Sequence, residues 1–127
     1  MVTTRHLMKN NLAKVSCGAP VLEAAKVMRE RHIGSVFVEQ HGRIVGIVTE
    51  ADIVRKVVAD CHCPQNVLVQ DIMSSPVIGI DVARPITDAA DLMDRSQTRH
   101  LGVMRSGDIV GVLSVRDLLH PVAIDEF

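Results

Sequence analysis

Two four-residue stretches place a hydroxyl residue three positions before an aspartate, each directly after a run of apolar residues. They are Thr49–Asp52 and Ser114–Asp117. The apolar runs predict buried strands, and the hydroxyl-x-x-aspartate pattern predicts the first turn of a helix. The first turn of a helix has backbone N–H groups without a partner and the positive end of the helix dipole, so it suits a bound anion. This repeated strand-to-helix turn is a candidate binding site.

The same pattern also has a purely structural interpretation. In a capping box, the N-cap hydroxyl accepts a hydrogen bond from the backbone of the third helical residue, whose acidic side chain accepts one from the N-cap backbone. Such a cap stabilises a helix by about 1 kcal/mol and requires no ligand. The two roles can coexist.

The chain consists of two copies of one sequence unit. With a shift of 65 positions, residues 5–55 align with residues 70–120 without a gap. Apolar character matches at many positions, and identical pairs are Met8/Met73, Pro20/Pro85, Ala24/Ala89, Ala25/Ala90, Met28/Met93, Val38/Val103, Gly42/Gly107, Ile44/Ile109, Val45/Val110, Gly46/Gly111 and Asp52/Asp117. An ungapped register over this length indicates a tandem duplication.

The sequence pattern of each copy predicts the element order β-α-β-β-α. Short strands are expected at residues 12–15 and 77–80, each followed by a proline at helix position N1. Apolar residues spaced i, i+3, i+4, i+7 then predict an amphipathic helix that ends near His32 or near Gln97. The remaining strands are expected at Ser35–Glu39, Arg43–Val48, His100–Met104 and Asp108–Leu113, and the last helices at Glu50–Ala59 and Val115–His120.

These elements predict an α/β (α+β) fold built from two tandem β-α-β-β-α repeats. We expect repeat 1 at residues 5–60, a linker at 61–69, repeat 2 at 70–120 and a C-terminal tail at 121–127. One copy alone leaves a sheet face uncovered, so the two copies are expected to pack about a pseudo-twofold axis as one module.

The composition argues against several classes of function. The net charge is −1 and the chain lacks tryptophan and tyrosine, whereas duplex binding needs a basic face and base stacking needs aromatic side chains. No apolar segment approaches the ~20 residues that cross a bilayer, and the start lacks the apolar run of a signal peptide. The three cysteines do not suggest a secreted disulfide scaffold. The sequence predicts a cytoplasmic protein that binds neither nucleic acid nor membrane.

Each copy has Gly-x-x-Thr/Ser-x-x-Asp at the end of its third strand, and Asp71-Ile72-Met73 precedes the second copy. In these features the chain resembles a pair of CBS domains, also called a Bateman module, over essentially its whole length. The resemblance implies a regulatory, non-catalytic sensor that requires no cofactor. Its expected ligands are AMP, ADP, ATP or an S-adenosylmethionine-like molecule, bound in the clefts between the copies. The resemblance also implies a homodimer, with an unidentified protein as a further expected partner.

The resemblance directs the ligand-binding assignment. Asp52 and Asp117 are expected to accept hydrogen bonds from the ribose hydroxyls, and the hydroxyl residues to face a phosphate. The complete candidate set is Thr49, Asp52, Ser114, Arg116, Asp117, Arg99, His100, Gly46 and Gly111. The basic members occur only in the second copy, whereas the first has Glu50 beside the expected phosphate. We therefore expect a phosphorylated ligand at the second signature and a weaker or less anionic one at the first.

Two residues depart from the family pattern. Phe37 and Gly102 stand where the family usually has a proline near the nucleobase. We expect Phe37 to narrow one pocket and Gly102 to widen the other.

Two alternatives stay open. The first is a ligand-free structural or dimerisation module. The second is a small metal- or thiol-dependent enzyme, which rests on Cys61-His62-Cys63 alone. Thiolates and imidazole suit zinc, but adjacent ligands have poor geometry and a structural site needs a fourth partner. We therefore expect this cluster to be a linker with incidental thiols.

Overall fold

The computed structural model describes residues 1–119, which form two compact units. The first unit is Ala13–Val77, and the second unit combines Met1–Leu12 with the chain from Ile78 onward. The units therefore differ from the sequence repeats at one end, because the residues that begin each repeat belong to the unit formed mainly by the other. His120 and the tail expected at 121–127 lie outside the described residues.

Both units contain strands and helices in the order β-α-β-β-α together with one further short helix, and the π-helical and 3-10 turns belong to the first unit. In chain order these are α1 (Thr4–Leu7), β1 (Lys14–Ser16), α2 (Val21–Arg31), β2 (Ser35–Gln40), β3 (Arg43–Thr49), α3 (Glu50–Ile53), a π-helical turn (Val54–Val58), a 3-10 turn (Pro64–Asn66), α4 (Val69–Ile72), β4 (Gly79–Asp81), α5 (Ile86–Ser96), β5 (His100–Arg105), β6 (Asp108–Ser114) and α6 (Val115–Leu118).

Each unit has one three-stranded sheet. The strand order is β1-β2-β3 in the first unit and β4-β5-β6 in the second. In each sheet the middle strand runs parallel to the first and antiparallel to the third. The mixed α/β class and the two repeated sheets that the sequence predicted are therefore confirmed.

The long helices follow the predicted apolar spacing. Val21, Ala24 and Met28 of α2 are buried, as are Ala89 and Met93 of α5. Small alanines at the centre of these faces allow a helix to approach a sheet closely. Both helices end as predicted, at a residue in the left-handed conformation, which is His32 or Gln97.

Several predicted boundaries are wrong by one turn or less. Strands β1 and β4 begin two residues later than expected, and each proline is the N-cap rather than residue N1. The helix α3 has four residues, but with its π-helical continuation it reaches Val58, one residue before the expected end, whereas α6 ends at Leu118. Val69, assigned to the linker, begins a helix. Terminal turns are decided by local hydrogen bonds, which apolar spacing does not report.

Two crossing segments were not predicted as structured. We define them as residues 4–9 in the second unit and residues 69–74 in the first. Each is a short helix followed by a methionine and one residue that pairs with the third strand of the sheet. The backbone of Lys9 pairs with Val112, and the backbone of Ser74 pairs with Ile47.

Each signature glycine lies in the third strand of its sheet, in contact with the methionine of the crossing segment of the same unit. A Cβ atom on Gly111 would lie 2.5 Å from Sδ of Met8 and 3.1 Å from the Lys9 carbonyl oxygen. A Cβ atom on Gly46 would lie 2.5 Å from Sδ of Met73 in the same way. At these distances a side chain on either glycine would force the methionine and the neighbouring backbone to shift. Each glycine is therefore matched to a methionine of the other sequence repeat.

We predict that Gly111→Ala destabilises the protein by about 1–3 kcal/mol, because the Met8 side chain and the Lys9 carbonyl must both shift. Gly18→Ala is the matched control, since a Cβ atom there meets nothing within 4 Å. The measurement is urea unfolding followed by far-UV circular dichroism. Equal stability of the two variants would show that the close crossing does not constrain residue 111.

Candidate functional site

The first signature forms a complete capping box at the start of α3. Thr49 donates its backbone N–H to Oδ2 of Asp52 at 2.9 Å, and its hydroxyl accepts from the Asp52 N–H at 3.2 Å. The hydroxyl also donates to the same Oδ2 at 3.1 Å. The Asp52 side chain is 13% exposed. One carboxylate oxygen therefore closes the helix start.

The second signature repeats this geometry at the start of α6. Ser114 donates its N–H to Oδ2 of Asp117 at 2.8 Å and its hydroxyl to the same atom at 3.0 Å. The Asp117 N–H donates to the Ser114 hydroxyl at 3.2 Å. The Asp117 side chain is 11% exposed. In both signatures Oδ1 is the carboxylate oxygen that the cap does not use.

A lysine ammonium lies near Oδ1 of the signature aspartate in each unit, but the two lysines differ in their exposure and in their other contacts. Nζ of Lys56 lies 3.2 Å from Oδ1 of Asp52 and donates to the Ile72 carbonyl at 2.8 Å. Nζ of Lys9 lies 3.7 Å from Oδ1 of Asp117, and its side chain is 66% exposed. Among residues 1–119, this ion pair is the contact that holds the Lys9 ammonium.

The two lysines do not occupy equivalent positions of the duplicated sequence. Lys56 lies one helical turn after Asp52, whereas Lys9 aligns with Ser74. Both nevertheless connect a signature aspartate to a crossing segment: Lys9 belongs to one, and Lys56 donates to Ile72 of the other. The sequence interpretation missed both residues. The i, i+4 spacing of Asp52 and Lys56 was a readable signal, while nothing near Lys9 in sequence indicated its partner.

The remaining basic candidates cluster at one end of the second sheet. His100, half-buried, begins β5 opposite Ser114, and the Arg99 carbonyl accepts from the N–H of Val115 at 2.9 Å. Arg99 and Arg116 are exposed, and neither forms an ion pair with another described residue. Gly34 and Ser35 occupy the corresponding places in the first unit. At these aligned positions, basic side chains therefore stand beside the second signature only.

Helix dipoles contribute less than the sequence suggested. Because α3 and α6 have four residues each, few peptide dipoles are aligned, and the first-turn N–H of each aspartate is already used by its cap. Any attraction for an anion at the second signature must therefore come mainly from side-chain charge.

The two departures from the family pattern have a backbone role. The N–H of Phe37 donates to the Ala13 carbonyl, and that of Gly102 donates to the Ile78 carbonyl, both at 2.9 Å. Proline has no N–H and cannot make this bond. The Phe37 side chain is buried at 2% exposure. The predicted effects on pocket width stay predictions.

Two observations concern metals and membranes. Within residues 1–119, no group of three or more His, Cys, Asp or Glu side chains lies close enough to hold a metal ion, and Cys61 and Cys63 are exposed free thiols. Across the same residues, no helix has the length and apolar character needed to cross a membrane.

Two consecutive parts of the chain, residues 5–59 and 69–123, match the family model for the CBS domain. The chain belongs to the CBS domain family. It is a tandem CBS module, and such modules are regulatory domains. The family resemblance that the signatures suggested is confirmed.

Similar proteins include relatives with and without solved structures. An uncharacterized 17.7 kDa protein from Acidianus ambivalens is 39% identical over 101 residues, which cover 77% of this chain and 59% of that protein. This chain thus spans less than two thirds of that relative. A CBS-domain protein structure from Burkholderia ambifaria is 30% identical, with a TM-score of 0.91 and coverage of 99% of this chain and 97% of that chain.

A third similar structure contains a nucleotide. The CBS domain protein PAE2072 from Pyrobaculum aerophilum, complexed with AMP, is 30% identical, with a TM-score of 0.84 and coverage of 98% of this chain and 96% of that chain.

We predict that Lys56→Met lowers the free energy of unfolding by about 1 kcal/mol, because it removes a hydrogen bond to the Ile72 carbonyl. Lys9→Met, the matched variant, is expected to cost less than about 0.5 kcal/mol, because its exposed ion pair is long. Urea unfolding of both variants measures the difference. A larger loss for Lys9→Met would contradict the assignment of the two lysines.

Proposed function

We propose that this protein is a regulatory sensor that binds an adenosine nucleotide, such as AMP, at the Ser114–Asp117 signature of the second unit. The observation that carries the proposal is the unequal charge around two otherwise identical caps. Arg99 and Arg116 are exposed basic side chains beside the second signature. Beside the first signature are Glu50 and Lys56, whose ammonium already has two partners. The AMP complex of the similar Pyrobaculum aerophilum protein supports the choice of ligand.

The proposed contacts follow from the chemistry of the second signature. Oδ1 of Asp117 is available to accept from ribose hydroxyls once its loose ion pair opens, while Oδ2 stays in the cap. The planar guanidinium groups of Arg99 and Arg116 can each donate two parallel hydrogen bonds to phosphate oxygens, and His100 and Ser114 add polar groups beside them. Gly111 keeps the crossing segment close to this turn.

The first signature is proposed as the weaker site. Oδ1 of Asp52 is held by Lys56, whose ammonium has a second bond to the Ile72 carbonyl. A ligand that bonds to Oδ1 of Asp52 must therefore displace an ammonium that a second contact holds in place, and Glu50 repels an anion there. The packing of Gly46 against Met73 gives that glycine a structural role independent of any ligand.

Calorimetric titration of AMP into Asp52→Asn and Asp117→Asn tests this asymmetry. We expect Asp117→Asn to weaken AMP binding by at least about tenfold, since a charge-assisted hydrogen bond contributes about 1.5–3 kcal/mol. Asp52→Asn, which alters the equivalent cap, is expected to change affinity by less than about threefold. Equal losses in the two variants would contradict a dominant second site.

A ligand-free dimerisation module is the second candidate, and exposed apolar residues favour it. Val54 and Val58 lie one turn apart in the π-helical turn and are 58% and 63% exposed. Such residues suit contact with another protein surface, including a second copy of this chain. A homodimer is compatible with both candidates, so ligand binding decides between them.

Thermal unfolding with increasing AMP, ADP, ATP, S-adenosylmethionine or NAD separates the two candidates. A ligand that binds the native state raises the melting temperature in proportion to the logarithm of its concentration above Kd. We expect AMP to raise it and Asp117→Asn to reduce the shift. Unchanged melting temperatures at millimolar concentrations of all five compounds would favour the ligand-free module.

A further inference from the structure

The backbone of Lys9 is held by two hydrogen bonds, whereas within residues 1–119 its ammonium has one long ion pair. Its N–H and carbonyl both bond to Val112 in β6, each at 2.9 Å. Its side chain is 66% exposed, and Nζ lies 3.7 Å from Oδ1 of Asp117. An exposed ion pair of this length contributes about 0–1 kcal/mol. Moving the ammonium to a new partner therefore needs only side-chain rotation and costs little.

Lys56 is held differently, although it serves the equivalent aspartate. Its ammonium bonds to Oδ1 of Asp52 at 3.2 Å and to the Ile72 carbonyl at 2.8 Å. Moving this ammonium breaks both contacts and leaves a backbone carbonyl without its donor. Among the described residues, the ammonium in the first unit is therefore held by two contacts and that in the second unit by one long ion pair.

We infer that Lys9 is a specificity residue that makes the second signature prefer a phosphorylated adenosine ligand to the unphosphorylated nucleoside. The inference rests on the proposed function. As ribose hydroxyls donate to Oδ1 of Asp117, the Lys9 ammonium exchanges that oxygen for a phosphate oxygen of the same ligand. A nucleoside offers the hydroxyls but no anion, so Lys9 gains no new partner from it.

This exchange explains why a basic residue outside the signature belongs to the site. The phosphate of a nucleotide is only a few bonds from the ribose. Rotation of the Lys9 side chain can therefore move its ammonium from Asp117 to a phosphate oxygen of a ribose-bound ligand. Lys9 thus adds a third positive charge to those of Arg99 and Arg116. Since Ser74 stands at the aligned position, the crossing segment of the first unit has no lysine there.

The test compares AMP and adenosine by calorimetric titration of the full chain and of Lys9→Gln, Lys9→Arg and Lys56→Gln. We expect Lys9→Gln to weaken AMP binding about five- to tenfold, as for loss of one charge-assisted hydrogen bond at a partly exposed group. Adenosine binding is expected to change by less than about twofold. Lys9→Arg keeps the charge and is expected to retain the preference for AMP, and Lys56→Gln is expected to retain it as well.

Each other outcome has a distinct meaning. Equal effects of Lys9→Gln on AMP and adenosine, or no effect on either, would overturn the role of Lys9 while leaving the proposed function intact. An equal loss of AMP preference in Lys56→Gln would also overturn it, because the two lysines would then not differ. A wild-type protein that does not bind AMP would overturn the proposed function and this inference together.

Discussion

The carboxylate of the signature aspartate is the group on which the rest of the site depends. Its Oδ2 closes the capping box that joins the third strand to the last helix, and its Oδ1 pairs with a lysine associated with a crossing segment. One side chain therefore connects three parts of each unit. Because the cap uses one oxygen and leaves the other to an ion pair, the structural role and the proposed binding role fall on two atoms of the same residue.

The duplication has preserved the cap more strictly than the ion pair. Bond lengths in the two capping boxes agree within about 0.1 Å, whereas Lys56 and Lys9 come from unrelated positions of the repeat. The cap depends on the backbone geometry at the start of a helix, which both copies share. A surface ion pair can instead be formed by lysines at different positions of the chain. The ion pair of Lys9 is the longer one, and it lies beside Arg99 and Arg116, which form no ion pair within residues 1–119. The proposed functional difference between the copies therefore rests on residues around the signatures.

The sequence was sufficient to predict the elements that regular patterns specify. The apolar faces of α2 and α5, the paired strands and both capping boxes were predicted from spacing alone. The short helices α1 and α4 were missed because four residues give too little periodicity to detect, although their positions also differ by 65. The contact of Met8 with Gly111 and the pairing of Lys9 with Asp117 join residues about a hundred positions apart, and local pattern does not encode such contacts.

The central claim is that the second signature, and not the first, holds the ribose of an adenosine nucleotide. A crystal structure of the protein with AMP tests it most directly. We predict that the ribose hydroxyls lie within hydrogen-bond distance of Oδ1 of Asp117. The Lys9 ammonium is expected to move from that oxygen to the phosphate, and the Ser114 cap is expected to stay intact. AMP bound at Asp52 alone, or at a surface away from both aspartates, would contradict it.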